Sequence, residues 1–130
     1  MNININDDIL RRVDEYDRNM TDYMNAIAYT GPSDETADQE REVAAEAQSL
    51  LQDIFGLVHA RTMSDPMDDV NVDLDARNAA LNKLSDEELK ALTNDIVSSV
   101  ILAVRSEIVL THESTEKVLD TTDDYLGNQN

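Results

Sequence analysis

The chain has 130 residues, with 28 acidic side chains against 10 basic ones and a net charge of −18. A surface so charged repels other polyanions, which excludes nucleic acid and anionic membrane as direct partners. Cysteine is absent, so disulfides and thiolate chemistry are excluded as well. We expect one soluble domain, intracellular or virion-associated, because Met1 to Asp8 lacks the features of a signal peptide.

Hydrophobic side chains recur at helical spacing along most of the chain. A first helix is predicted from about Asp7 to Tyr29, a second from about Thr36 to Arg61, and a short third from Leu74 to Leu84. Gly31-Pro32 separates the first two helices. Thr36 and Gln39 have the spacing of a capping box, which predicts the start of the second helix.

The last predicted helix is apolar over most of its circumference. Ser85 and Glu88 form a capping box at its start, and the pattern extends to Leu110. Leu102 and Val109 project away from the main apolar stripe of this helix. A helix of this kind is buried on more than one side, so it is either the central helix of the bundle or faces another subunit.

Both ends of the chain have a different character. Met1 to Ile5 alternates Asn and Ile, which is typical of an extended arm that adds to a partner's sheet, although a frayed terminus is the alternative. The β-branched residues of Glu107 to Thr111 also admit a short strand. From Thr111 onward the chain is mostly polar and predicts a tail without regular structure of its own.

The predicted fold is all-α: a small bundle of three long helices plus one short helix. The predicted domain organisation is an N-terminal arm over residues 1–6, a helical bundle domain over 7–111 and a polar C-terminal tail over 112–130.

No catalytic, cofactor-binding or metal-binding residue is predicted, and the chain is not expected to be an enzyme. From Asp69 the sequence reads D-x-N-x-D, the opening of a calcium loop of the EF-hand type. Leu74 then stands where that loop needs glycine, and Ala80 where it needs a bidentate glutamate. His59 and His112 lie outside any zinc or dimetal motif, and three glycines are too few for a phosphate-binding loop.

Several tyrosines and apolar residues are candidates for contact with a partner. Tyr16 and Tyr23 are a heptad apart on the first helix, where tyrosine is typical either of a core edge or of an interface. Tyr125-Leu126 is an apolar pair in an acidic tail, which is typical of a docking anchor or of an inert tail end. The predicted partner-binding residues are Leu102, Val109, Tyr16, Tyr23, Tyr125 and Leu126.

These features predict a non-catalytic assembly subunit that acts through protein–protein contacts in an oligomer or multi-chain particle. By architectural analogy only, helical connector or adaptor proteins of tailed-virus particles have this size and build. Abundant aspartate with scarce lysine fits a salt-adapted system. The alternative is an acidic nucleic-acid mimic that inhibits a DNA-binding protein, which requires carboxylates in a contiguous stripe at phosphate-like spacing. A third hypothesis is an enzyme or metal buffer built on the acidic loop around Asp69.

Overall fold

The computed structural model describes residues 3–4, 7–64, 74–101 and 109–126. These residues are predominantly helical, which confirms the predicted all-α character. Within them, no helix is both long and apolar enough to cross a membrane. The elements in chain order are β1 (Ile3–Asn4), α1 (Asp7–Thr30), α2 (Asp34–Ser64), α3 (Leu74–Leu81), α4 (Asp86–Ile96), a π-helical turn (Val97–Ile101), β2 (Val109–Leu110) and α5 (His112–Leu126).

α1 and α2 form a helical hairpin with a short connection. Gly31 has a φ of 70°, and its N–H donates to the carbonyl of Ile27 at 2.9 Å. A residue in this left-handed conformation ends a helix by satisfying one of its last carbonyls, and glycine adopts it without a clash from Cβ. The predicted stop at Gly31-Pro32 is therefore confirmed.

The capping box predicted for Thr36 and Gln39 is wrong, because α2 begins two residues earlier, at Asp34. The hydroxyl of Ser33 accepts a hydrogen bond from the N–H of Thr36 at 3.2 Å. In return, the hydroxyl of Thr36 accepts one from the N–H of Ser33 at 2.7 Å. Thr36 thus closes a reciprocal box from its third helical position, where glutamate or glutamine is usual.

The capping box predicted for α4 is confirmed. The hydroxyl of Ser85 accepts from the N–H of Glu88 at 3.1 Å, and the carboxylate of Glu88 accepts from the N–H of Ser85 at 3.0 Å. α3 ends at Leu81, and the chain turns there directly into α4.

The prediction that the last helix continues to Leu110 is wrong. α4 ends at Ile96 and the chain continues as a π-helical turn. The hydroxyl of Ser98 donates to the carbonyl of Asn94 at 2.7 Å, and the hydroxyl of Ser99 donates to the carbonyl of Asp95. Such side-chain bonds compete for helical carbonyls, and the β-branched residues Val97, Val100 and Ile101 lower the helix propensity of this segment.

The two short strands form one antiparallel pair within the chain. Ile3 pairs with Leu110, and Asn4 pairs with Val109. Within the alternating segment, the two described residues Ile3 and Asn4 therefore form a strand. Its neighbour in this structure is the chain's own β2 rather than the sheet of a partner.

The prediction of an irregular C-terminal tail is wrong for His112–Leu126, which forms α5. The hydroxyl of Thr111 accepts from the N–H of Ser114 at 3.2 Å, and the hydroxyl of Ser114 accepts from the N–H of Thr111 at 2.7 Å. This box has the same hydroxyl-to-hydroxyl form as the one at α2. The buried side of α5 mixes polar and apolar side chains at spacings of one, three and four: Ser114, Thr115, Val118, Leu119 and Thr122.

The hydrophobic core is centred on α2, which packs against α1, α3, α4 and α5. The sequence pattern instead predicts the last long helix as central or facing another subunit. The larger side chains of α2 that are at most 1% exposed are Leu50, Leu51, Ile54, Phe55 and Val58. The core therefore lies around the middle of α2, and the hairpin formed with α1 extends away from it.

Candidate protein-interaction surface

The apolar stripe of α1 extends further along the helix than the core that buries it. Ile9, Val13 and Tyr16 are buried, and no side chain of α1 beyond Tyr16 is. At the end of the helix Tyr29 is 88% exposed. The residues that continue the stripe beyond the core are half-buried or exposed: Met20, Tyr23, Met24 and Ile27. Residues 17–30, the distal half of α1, therefore present apolar side chains that this fold covers only in part.

A buried lysine holds the distal half of α1 in place. Lys90 of α4, whose side chain is 9% exposed, donates from Nζ to Oε1 of Glu40 at 3.0 Å. The same ammonium lies 4.5 Å from the centroid of the Tyr23 ring, and the Tyr23 hydroxyl donates to Oε2 of Glu40 at 3.2 Å. The hydrogen bond from Lys90 lowers the pKa of the Glu40 carboxyl. One cluster thus joins α1, α2 and α4.

A groove of about 170 Å³ lies between the distal half of α1 and the first turns of α2. Val43 is buried at its floor. One wall is braced by Asn19 of α1, which donates from Nδ2 to Oε2 of Glu46 of α2 at 2.8 Å. The residues that line this acidic groove are Asn19, Asp22, Gln39, Glu42, Val43 and Glu46.

Some carboxylates of the hairpin are paired with arginines and others are not. Arg11 forms salt bridges with Asp8 and Glu15, and Arg41 forms one with Asp38. Arg12 likewise pairs with Asp53 and lies 2.9 Å from the Ser49 hydroxyl. Within the described residues, neither of the groove carboxylates Asp22 and Glu42 has an ion-pair partner. The negative charges of these two carboxylates are therefore not neutralised by an ion pair within the described residues. Residues 17–46 carry eight acidic and two basic side chains.

No family model, curated protein or solved structure matches this chain. Its function is therefore argued from its own residues.

The structure places Tyr16 inside its own fold, which corrects its assignment to a partner surface. Tyr16 is 1% exposed, and its hydroxyl lies 3.2 Å from Oδ1 of Asn94 and 3.4 Å from the carbonyl of Lys90. Burial raises the pKa of the Tyr16 hydroxyl. Tyr23 is half-buried, and its ring and hydroxyl are engaged by Lys90 and Glu40 as described above. Of the two predicted tyrosines, only Tyr23 borders the exposed part of α1.

Tyr125 and Leu126 are not free anchors in a tail, because both pack against the chain's own core from the last turn of α5. The Tyr125 hydroxyl donates to the carboxylate of Asp95, and this hydrogen bond raises the pKa of Tyr125 to about 12. The docking prediction assumed that these two residues belong to an unfolded polar tail. They belong instead to a helix, so that assumption does not hold. Tyr125 has a role in attaching α5 to α4.

The side chains of the other two predicted partner residues, Leu102 and Val109, are not among those that the structure describes. Leu102 lies outside the described residues. The backbone of Val109 belongs to β2 rather than to a helix, so the helical projection on which its assignment rested does not apply.

In the part of the chain that the structure describes, no group of three or more histidine, aspartate or glutamate side chains is placed to hold a metal ion. The predicted acidic loop at Asp69 lies in the undescribed range 65–73.

Sequence reasoning identifies the apolar stripe of α1 but not the point at which burial stops. Spacing alone assigns Tyr16 and Met24 to the same stripe, and only the packing of α4 on the hairpin separates the buried residue from the exposed one. The Lys90–Glu40 pair was missed because the two residues are 50 positions apart in sequence. A lysine on the apolar side of a helix pattern is the signal that was available for it.

Proposed function

We propose that the protein is a non-catalytic assembly subunit whose contacts with other chains are made by the distal half of α1. The observation that carries the proposal is the continuation of the apolar stripe beyond the core. Met24, on the stripe whose earlier members Val13 and Tyr16 are buried, is 60% exposed. Contiguous exposed apolar surface next to polar surface is characteristic of protein–protein contact sites.

The exposed residues of the stripe can contribute to association. Burying one large apolar side chain fully contributes roughly 1.5–3 kcal/mol. Met24, with the exposed parts of Met20 and Ile27, therefore supplies a favourable contribution that must exceed the entropic cost of association. Tyrosine and methionine are also among the side chains enriched at interface cores. The distal half of α1 is thus suited to pack against another helix.

The net charge sets the conditions under which copies of the chain would associate. At −18, two copies repel each other at low ionic strength, and salt screens this repulsion over a Debye length of about 3 Å at molar concentration. Association is then expected to increase with salt. A salt-adapted system, such as a particle in which this chain connects other subunits, is the setting we propose.

Light scattering on the purified chain at low, physiological and molar salt tests this function. We expect a monomer at low salt and a defined oligomer at molar salt. Replacing Met24 by serine is expected to shift the midpoint of association to about tenfold higher protein concentration, because its burial is lost.

Met63→Ser is the matched control, because Met63 is 70% exposed at the far end of α2 and lies outside the proposed surface. This variant is expected to associate like the unmodified chain. A monomer at every salt concentration, or equal effects of the two substitutions, contradicts the proposal.

The nucleic-acid mimic is the second candidate, and the uncompensated carboxylates of the acidic groove favour it. Against it stand the arginines that neutralise acids on the same hairpin, including Arg41 beside Asp38 and Arg11 between Asp8 and Glu15. A mimic needs an unbroken row of negative charge in place of phosphates. Competition with duplex DNA for a basic DNA-binding protein distinguishes this candidate from an assembly subunit.

A further inference from the structure

We propose that the distal half of α1 pairs with the same helix of a second copy of this chain, antiparallel and with Met24 at the two-fold axis. The inference rests on the proposed assembly function and names its partner. It is carried by two observations: the exposure of Met24 on the α1 stripe, and the absence of charge from the segment that begins beside it.

The end of the helical hairpin carries no charge although it is exposed. Residues 23–33 form the longest run of the sequence without an acidic or basic side chain, in a chain in which 29% of the residues are charged. None of these residues is buried, and most are exposed. The uncharged run 54–60, by contrast, contains the core residues Ile54, Phe55 and Val58. Burial in the core accounts for the lack of charge in that run but not in residues 23–33.

The uncharged segment suits a partner that is itself acidic. Like charges that face each other oppose binding, and charged residues are depleted from the centres of interfaces. With a net charge of −18, contact through most other surfaces would bring carboxylates of two copies together. Residues 23–33 avoid this repulsion. A basic partner would instead gain from contact with the acids elsewhere on the chain, so the position of the apolar surface favours a second copy.

The charges next to this segment favour the antiparallel orientation. Thr21, Met24 and Ala28 are exposed and spaced by three and four residues, so they share one face of α1. Asp17 lies on that face, one turn before Thr21, and is also exposed. In an antiparallel pair centred on Met24, Asp17 lies opposite Gly31 of the second copy, because both are seven residues from Met24. In a parallel pair the two Asp17 carboxylates would lie opposite each other.

The two-fold axis brings the two Met24 side chains together. A two-fold contact uses the same patch on both copies, so the 60% exposed side chain of Met24 is covered in each of them. The flexible side chain of methionine adapts to the neutral neighbours Thr21 and Ala28. Such a contact is closed, because it leaves no free patch of the same kind for a third copy. The expected oligomer is therefore a dimer.

Single-cysteine variants test this arrangement, because the chain has no cysteine of its own. Met24→Cys is oxidised with glutathione disulfide at molar salt, and linked chains are followed on non-reducing gels. Helices with axes about 8–10 Å apart bring facing Cα atoms within the roughly 4.4–6.8 Å that a disulfide spans. We expect linked pairs to form at least about tenfold faster than in Met63→Cys, whose position is 70% exposed outside the contact.

Ala28→Cys distinguishes the two orientations. In the antiparallel pair, position 28 of one copy lies opposite position 20 of the other, so the two cysteines are about 12 Å apart along the helix axis. A disulfide cannot span that distance. In a parallel pair the same cysteines would face each other. We expect Ala28→Cys to link no faster than Met63→Cys.

A charge exchange at Met24 distinguishes a second copy from a different partner. Met24→Glu places two carboxylates face to face, and Met24→Lys places two ammonium groups face to face. Each variant alone is expected to associate at least about tenfold more weakly than an equimolar mixture of the two, in which glutamate meets lysine. Light scattering at the lowest salt concentration at which the unmodified chain associates measures this difference.

Equal linkage of Met24→Cys and either Ala28→Cys or Met63→Cys overturns the inference, and so does a mixture that associates no more tightly than its components. An oligomer that forms at molar salt without rapid linkage at Met24→Cys overturns the inference and leaves the assembly function in place. A monomer at every salt concentration contradicts the assembly function itself, so the two failures are distinguishable.

Discussion

Lys90 shows how one charged residue is accommodated inside a small helical fold. Its side chain is 9% exposed, and an ammonium group so placed is costly unless it is paired. Glu40 supplies the opposite charge at 3.0 Å, and the Tyr23 ring supplies the negative face of its π system at 4.5 Å. The cluster joins α4 to both helices of the hairpin. The cluster also lies beside the half-exposed residues of the α1 stripe, at the edge of the core.

The pair predicts a specific dependence of stability on pH. Lys90 lowers the pKa of Glu40 below its ordinary value of 4.5, so the folded state favours the carboxylate more than the unfolded state does. The resulting stabilisation is present above pH 4.5 and is lost as the pH falls through the lowered pKa. In Glu40→Gln this contribution is absent. We therefore expect the free energy of unfolding, measured in urea from neutral to acid pH, to fall less steeply for the variant.

Glu42→Gln is the control for this measurement, because it removes the same charge two residues away on the same helix. Its acid dependence is expected to follow that of the unmodified chain. If the Glu40→Gln curve runs parallel to the unmodified curve through the acid range, Lys90 does not stabilise the folded state through Glu40.

At the scale of elements, two helices of this fold start with the same arrangement of hydroxyl groups. Ser33 with Thr36 opens α2, and Thr111 with Ser114 opens α5. In each case the two side chains satisfy each other's backbone N–H groups, which have no partner within the helix. The buried side of α5 continues this chemistry, because the hydroxyl of Thr122 donates to the carbonyl of Val118 at 2.7 Å.

The cap of α5 can be tested by Thr111→Ala. Loss of the hydroxyl leaves the N–H of Ser114 without its acceptor, and such N-cap losses cost about 1 kcal/mol. We expect the free energy of unfolding in urea to fall by that amount and amide hydrogen exchange in α5 to accelerate. Ser85→Ala, which removes the cap of α4, is expected to cost a similar amount while accelerating exchange in α4. Unchanged exchange in α5 contradicts a capping role for Thr111.

The elements that follow simple hydrophobic spacing were predictable. α1, α2 and the start of α4 carry apolar stripes with glycine or capping residues at their ends, so their existence follows from the sequence. α5 was not predicted, because its buried side includes Thr115 and Thr122, whose hydroxyls are satisfied by helical carbonyls and so are tolerated inside the fold. Hydropathy counts such residues as polar, and the hydroxyl box at Thr111 lacks the glutamate that marks the usual motif.

The candidate surface was predictable only in part. The sequence indicates that α1 carries Tyr16 and Tyr23 on one stripe, but the choice between core and interface depends on where α4 packs. The acidic groove was not predicted, because it brings together Asp22 and Glu46 from two helices. Their juxtaposition depends on the length of the hairpin connection and on the relative rotation of α1 and α2, neither of which hydrophobic spacing determines.

At the scale of the whole molecule, a compact apolar core supports a strongly anionic surface. α2 contacts every other α-helix of the described fold, so its central residues form the middle of the core. The surrounding helices carry the acids, and their mutual repulsion opposes the compact state at a net charge of −18. Stability of this fold therefore depends on the ionic strength of its surroundings.

Thermal unfolding followed by circular dichroism tests that dependence. We expect the midpoint temperature to rise from low to molar sodium chloride, because salt screens repulsion between the acidic helices. Asp120→Asn, at an exposed position in the middle of α5, relieves part of the same repulsion by substitution. This variant is expected to melt at a higher temperature than the unmodified chain at low salt and at nearly the same temperature at molar salt. A midpoint that is independent of salt excludes charge repulsion as a major destabilising factor.

The burial of Lys90 has a practical consequence for mapping the contacts of this protein. The chain has three lysines, and with Lys90 enclosed only Lys83 and Lys117 offer accessible side-chain amines. Neither belongs to α1 or α2, so amine-reactive cross-linkers leave the helical hairpin unlabelled even when a partner occupies it. Reagents that couple carboxylates to amines suit this molecule better, because Asp22 and Glu42 then become the reporting positions.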